Sequence, residues 1–270
     1  MLRWATWNLW AVGPEWVRRL DAACTELVRT APDVVCLQEV RCGGGVDAAE
    51  ELAAATGLVA VRSAPLGSVW WSDRVSSPIT VENVVLSRWP AVDVHLDELP
   101  VAPGAAEVRT ALQARIESPD GPVRVVSTQL SSSPLDSARR VEQVRAVATS
   151  LGSRRAGDET TLVAGDLNAE PDSDEVRLLC GHKTTPVVEG FVLMDLWRFA
   201  DGGGPGWTWD RANPHVRATR EPSCRIDALL AGPTPTGPLP EVHAVGLMGD
   251  RDVDGVWASD HAGVVADISL

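Results

Sequence analysis

The 270-residue chain carries 44% hydrophobic and 23% charged side chains, enough apolar material for a substantial core, and no apolar run reaches the roughly 20 residues of a membrane span. Disordered and helix-spanning membrane classes are therefore excluded. The net charge of −13, with Lys183 the only lysine, weighs against a nucleic-acid partner, because nonspecific affinity for nucleic acid comes mainly from lysine and arginine neutralising phosphates. Five cysteines (Cys24, Cys36, Cys42, Cys180 and Cys224) fall in no zinc spacing, and no export signal precedes the first apolar run, so free thiols and a cytoplasmic location are expected. Tyrosine is absent while tryptophan occurs eleven times, so aromatic packing must rest on indoles.

Taken in order, Arg3 to Trp7 reads as a first strand ending at Asn8. A helix follows from near Pro14, with Val17, Leu20, Cys24, Leu27 and Val28 on one face, and Pro32 stops it. Val34 to Leu37 is a buried-strand run with Gln38 and Glu39 at its end. Asp47 and Glu50 resemble a capping pair for a short helix that Gly57 closes. Between Leu58 and Thr128 the texture turns to short β-like runs: Leu58–Arg62, Val69–Trp71, Val81–Leu86, Val108–Glu117 and Val123–Thr128, the last two joined by a hairpin at Asp120-Gly121.

Ser133-Pro134 then signals a helix with Val141, Val144, Val147, Ala148 and Leu151 on one face. The next strand, Leu162 to Ala164, is ended by Gly165 and followed by Asp166 and Asn168. On its own this GDLN segment is equally compatible with a polar turn after a core strand. Ser173 to Cys180 reads as a helix and Gly202 to Gly206 as a loop. Arg225 to Ala231 is a strand holding Asp227, and an acid inside an apolar strand is costly unless paired. A loop rich in proline and threonine spans Pro233 to Pro240, and Ser259-Asp260-His261 leads into a last strand, Val264–Ile268.

The ordered segments ATWNL, DVVCLQE, ENVVLSRWP, VVSTQL, VAGDLN, GWTWD, RIDALLA and SDHAGVVADI span nearly the whole chain. In that order they resemble the endonuclease/exonuclease/phosphatase superfamily of metal-dependent phosphoesterases. The resemblance implies an α/β (α+β) four-layer sandwich, two packed mixed β-sheets flanked by helices, formed by residues 1–270 as a single domain.

The chemistry of phosphoester cleavage gives each residue a role in that setting. A hard divalent cation, Mg²⁺ or Mn²⁺, is expected on Glu39 and Asp260, with Asn8 helping through its side-chain oxygen. His261 suits the base for an attacking water, oriented by Asp227; Asp166 orients or deprotonates the same water, and related enzymes leave the choice of base open. Asn168 is expected to donate to the phosphoryl oxygen, and Asn83 to line the site. His95, His182, His215 and His243 lack such context, whereas Trp207 and Trp209 match a segment near the site. A phosphorylated small molecule or lipid headgroup is the expected partner of a monomeric hydrolase; a nuclease is the runner-up, and a diverged non-hydrolytic or binding-only role is the third reading.

One departure stands out. Many hydrolytic members have histidine where this chain has Gln129, and in them it contacts phosphate and can protonate the leaving oxygen. Glutamine donates a hydrogen bond but delivers no proton.

Overall fold

The computed structural model describes residues 1–43, 45–62, 79–105, 108–154, 157–201 and 204–270. The strand expected at Val69–Trp71 lies outside them, as do two glycines of the Gly202–Gly206 loop. In chain order the elements are β1 (Leu2–Asn8), α1 (Trp16–Thr30), β2 (Val34–Gly43), β3 (Val46–Asp47), α2 (Ala48–Thr56), β4 (Val59–Arg62), β5 (Thr80–Ser87), β6 (Ala91–Leu99), β7 (Arg109–Ser118) and β8 (Gly121–Gln129). They continue with α3 (Ser137–Arg154), β9 (Thr160–Asp166), α4 (Asp174–Cys180), β10 (Met194–Asp195), a 3₁₀ turn over Leu196–Phe199, α5 (Pro214–Thr219), β11 (Asp227–Ala231), β12 (Glu241–Met248) and β13 (Gly263–Ser269).

Two mixed sheets result. The first runs β12-β13-β1-β2-β5-β4, with β3 beside β2, and the second runs β10-β11-β9-β8-β7-β6. Each contains one parallel pair, β1 with β2 and β8 with β9. Alternation along the strands explains the layering, since successive side chains point to opposite faces of a sheet. Leu2 and Trp4 of β1, Val34 and Cys36 of β2, Val123 and Val125 of β8, Leu162 and Ala164 of β9, and Leu229 and Ala231 of β11 meet between the sheets. The opposite face of the first sheet packs Ala5, Trp7, Val35 and Leu37 against Leu20, Leu27 and Leu52 of α1 and α2. That of the second packs Val126, Val163 and Leu230 against Val144, Val147, Leu151 and Leu179 of α3 and α4. The expected sandwich of two sheets with flanking helices is what forms.

Several local expectations need correction. The buried face of α1 is Trp16, Arg19, Leu20, Ala23, Glu26 and Leu27, whereas Val17 and Val28 are exposed. The face is rotated because two charged side chains find buried partners: Arg19 donates to the carbonyls of Leu9, Trp10, Pro14 and Ala258, and Glu26 accepts from Gly249 N–H. Helix α3 starts at Ser137, three residues after Pro134, and the β7–β8 hairpin turns on Pro119 and Asp120, with Gly121 opening β8 opposite Ser118. Strands β6 and β12, at the edges of their sheets, have no counterpart in the expected elements.

Gly165 is fixed by the parallel pairing of β8 with β9. It sits opposite Thr128 at φ 152°, and a Cβ there would lie 1.8 Å from the Thr128 carbonyl oxygen. Gly165→Ala is expected to lower unfolding free energy by about 3 kcal/mol or more, since it combines backbone strain with a clash against backbone. Urea denaturation measures this, and a loss under about 1 kcal/mol would show that the two strands separate there at little cost.

Candidate active site

The apolar rows that fill the space between the sheets end in polar residues on the same faces. On β1, Leu2 and Trp4 are followed at the same parity by Thr6 and Asn8; on β8, Val123 and Val125 by Ser127 and Gln129; on β9, Leu162 and Ala164 by Asp166. Strand β11 runs the other way, so Asp227 precedes Leu229 and Ala231. Asn8, Gln129, Asp166 and Asp227 therefore meet at one end of the sandwich, and all four are at least nine-tenths buried.

Glu39 joins them through a defect. Strict alternation would send it with Val35 and Leu37 to the helix-covered face. The β2–β5 register instead slips between Leu37 and Val40, and Glu39 takes the left-handed conformation at φ 52°. Such a bulge re-aims a side chain. Its carboxylate accepts from Gln129 Nε2 at 2.8 Å, Ala11 N at 3.2 Å and Asn8 Nδ2 at 3.4 Å.

Asp166 accepts from Asn8 Nδ2 at 2.9 Å, Asn168 Nδ2 at 3.1 Å and Gln129 Nε2 at 3.3 Å through one oxygen, and from Asn168 N at 3.0 Å through the other. Asn168 also donates to the Leu130 carbonyl at 3.1 Å. His261 Nδ1 lies 2.9 Å from Asp227 Oδ2, and its Nε2 lies 4.0 Å from Asp166 Oδ2. The expected pairing of the buried strand acid with the histidine is therefore present.

The GWTWD segment supports that pair. Thr208 Oγ1 accepts from Ile226 and Asp227 N–H, its carbonyl accepts from Ala262 N–H, and the Trp209 ring packs 5.0 Å from the His261 ring. Ser259 donates to the Asn8 carbonyl and accepts from His261 N–H, which ties the final Ser-Asp-His unit to β1. Trp209 lines the cleft, of about 380 Å³; Trp207 does not.

The remaining expected residues stand as follows. Asp260 is buried and lines the same cleft as Glu39. Asn83 also lines it, while its amide donates to the carbonyl and hydroxyl of Thr110 and so links the two sheets. Asn8 Oδ1 accepts from Trp10 N–H at 2.9 Å, so its amide group rather than its oxygen faces Glu39 and Asp166.

Sequence reasoning missed two arginines. Arg109 NH1 donates to Gln129 Oε1 at 2.6 Å at the rim of the cleft. Arg19 holds the Leu9–Trp10 and Ala258 carbonyls under the site and stacks on Trp10 and Trp16. The discoverable signal for Arg19 was its place, with Glu26, among the apolar residues Trp16, Leu20, Ala23 and Leu27 at helical spacing; Arg109 carried none beyond its place at the start of a strand.

Electrostatically the site is crowded with acid. Burial pushes Asp260 up to about 7, opposed by His261 and Arg19 and reinforced by Glu39. Burial also raises Asp166, with Asp227 adding to the rise and His261, Asn8 and Asn168 opposing it. For His261, burial acts to lower the pKa, but Asp227, Asp166 and Asp260 outweigh it and hold the ring well above the ordinary histidine range. Asp166, Asp227 and His261 each offer a ligand atom, all within 4.8 Å of one another, a set that is close enough to hold a metal ion.

The chain matches the Endonuclease/Exonuclease/phosphatase family over residues 5–261. It belongs to that family. The family is generally divalent-metal dependent, and its members are generally hydrolases of phosphoester bonds. Among solved structures, an endonuclease/exonuclease/phosphatase from Beutenbergia cavernae DSM 12333 is 27% identical, with 100% of this chain and 71% of that one covered at a TM-score of 0.71. D. rerio TDP2 complexed with single strand DNA product is 20% identical, covering 100% and 99% at 0.74, and TDP2 from C. elegans is 18% identical, covering 100% and 75% at 0.73. No curated protein matches the chain.

The raised Asp260 gives a pH test in metal-free protein. A group whose pKa rises from about 3.9 unfolded to about 7 folded binds its proton more tightly in the folded state. Its contribution to stability is thus complete below about pH 4 and is lost as pH rises through 7. In EDTA, Asp260→Asn should gain about 2–3 kcal/mol on wild type between pH 4.5 and 8, read by urea denaturation. A pH-independent difference would mean that Asp260 ionises freely in the fold.

Proposed function

We propose that the chain hydrolyses a phosphodiester or phosphomonoester of a small or lipid-like molecule with Mg²⁺ or Mn²⁺, by attack of a water activated beside His261. The observation that carries this reading is the buried Asp227–His261 pair, faced by Asp166 and set in one cleft with Glu39 and Asp260. The donor set fits a hard cation. Glu39 and Asp260 are carboxylates whose charges oppose each other in a buried setting, which is the imbalance a cation relieves. We place the cation on these two rather than on Asp166, Asp227 and His261, because ligation by Nδ1 would break the 2.9 Å hydrogen bond that orients the ring and ligation by Nε2 would occupy the nitrogen that is to take the proton from water. Asn8 then serves as a donor that steadies Glu39 and Asp166, in place of the oxygen ligand expected from sequence.

When bound, the cation neutralises phosphoryl oxygens and lowers the pKa values of the groups around it. The chain's own residues do the rest. Asp227 holds His261 by Nδ1 and leaves Nε2 to take a proton from water, on the side where Asp166 lies. Asn168 gives its two amide hydrogens to the Leu130 carbonyl and to Asp166, so it fixes the Asp166 carboxylate in place of the phosphoryl donor role expected from sequence. Val81, Leu96 and Val108 line the same cleft and suit an apolar substituent. The TDP2 structures share the fold, but a polyanionic DNA substrate would approach a chain of net charge −13.

Purified protein is to be screened with Mn²⁺ or EDTA against nucleotides, inositol phosphates, phospholipids and aryl phosphodiesters. Metal-dependent turnover is expected, falling about 10²–10⁴-fold in Glu39→Ala and His261→Ala. No metal-dependent turnover across the panel would refute the reading, and robust cutting of plasmid that vanishes in Glu39→Ala would transfer it to nucleic acid.

Gln129 predicts a second outcome. Its Nε2 donates to two carboxylates and supplies no proton, so rates should depend steeply on leaving-group acidity. Gln129→His should raise alkyl-ester rates selectively. A flat dependence over a graded ester series in wild type would show that another group provides the proton.

A further inference from the structure

Strand order sets a direction across the cleft. Asp227 pairs with Asp166, Asp166 with Gln129, and Thr128 with Ala111, so β11, β9, β8 and β7 stand side by side. At about 4.8 Å per strand, the backbone carrying Asp227 and that carrying Arg109 are separated by roughly 14 Å, with Asp166 and Gln129 between them. His261 sits at the Asp227 end. The Arg109 guanidinium sits at the other, 2.6 Å from Gln129 Oε1 and 3.4 Å from Ser132 Oγ, in the wall of the same cleft.

An in-line displacement puts the attacking and leaving oxygens on opposite sides of the phosphorus. With the water taken at His261, the leaving group departs toward Gln129 and Arg109. Gln129 has no proton to give, and its oxygen is already turned to Arg109. What the far end offers is a fixed positive charge in a fork suited to phosphate oxygens. A leaving group matched to it carries its own negative charge and needs no proton.

We infer that Arg109 binds a phosphate leaving group, so that the scissile bond is a phosphoanhydride in a substrate with two linked phosphates. This rests on the attack of a water at His261 proposed above and goes beyond that reading in taking an anhydride rather than an ester as the bond that is cut. The water oxygen forms a bond to one phosphorus while the bridging oxygen breaks from it. The electron pair of the broken bond leaves with the second phosphate, whose charge Arg109 offsets. One proton of the water passes to His261, the other stays with the product, and phosphorus keeps its oxidation state.

The test compares diadenosine pyrophosphate, bis(p-nitrophenyl) phosphate and glycerophosphocholine with Mn²⁺ present. Wild type should favour the pyrophosphate over the alkyl diester by at least about 100-fold in kcat/KM, as expected where no general acid serves the leaving group. Arg109→Ala should cost the pyrophosphate at least about tenfold more than it costs the aryl diester, with Arg109→Lys recovering part of the loss. As a readout apart from turnover, AMP, the product on that side, should bind Arg109→Ala at least about tenfold more weakly than wild type by calorimetry. Equal losses on both substrates, or aryl turnover without pyrophosphate turnover, would overturn this inference and leave the phosphoesterase reading standing. Absence of turnover on all three would overturn this inference, and the phosphoesterase reading would then stand or fall on the wider panel given above. If Arg109→Ala does not fold, the same ratio and the AMP titration in Arg109→Lys decide: unchanged values contradict the assignment.

Discussion

Two amide groups cross the gap between the sheets in opposite directions, and the site depends on that exchange. Asn8, on the first sheet, donates to Asp166 on the second, and Gln129, on the second, donates to Glu39 on the first. Below them Gln38 donates to Ser127 and Ser127 to the Leu37 carbonyl, continuing the polar seam down to the apolar core. Buried carboxylates left without donors would be expensive, and the Asn8 and Gln129 bonds are to carboxylates, the stronger class of hydrogen bond. The relative position of the two sheets is thereby coupled to the geometry of the acids.

Among the described residues, the acids crowd one cleft with Arg19 beneath them and Arg109 in its wall. Arg19 is the buried positive charge under this end of the sandwich, and its guanidinium is spent on backbone carbonyls and two indole faces. Burial lowers its pKa to about 10, a sign of how little solvent reaches it. His261 is drawn toward its charged form by three surrounding aspartates. On the proposed mechanism, a cation arriving at such a site would displace protons, which links metal binding to the state of the base.

Much of this was legible in the sequence. Asp227 inside an apolar strand demanded a partner, and His261, two residues before the last apolar strand, supplied it. The apolar parity of β1, β8 and β9 carried Asn8, Gln129 and Asp166 to the inner face. What escaped is what alternation cannot encode. The bulge that turns Glu39 inward is a register slip between two strands distant in sequence, and the rotation of α1 follows from partners that Arg19 and Glu26 find in the Leu9–Pro14, Ala258 and Gly249 segments. Edge strand β6, Ala91–Leu99, mixes valines with acids and is exposed or half-buried until Leu99, so its pattern lacks a buried face to announce it.

The central claim is that the cation sits on Glu39 and Asp260 while Asp227 keeps His261 as a base. Crystals grown with Mn²⁺ and measured at the manganese absorption edge test it directly. The account predicts an anomalous peak within ligand distance, about 2.0–2.3 Å, of carboxylate oxygens of Glu39 or Asp260, with the His261–Asp227 hydrogen bond intact. A peak ligated by His261 together with Asp166 and Asp227, and none at Glu39, would contradict it.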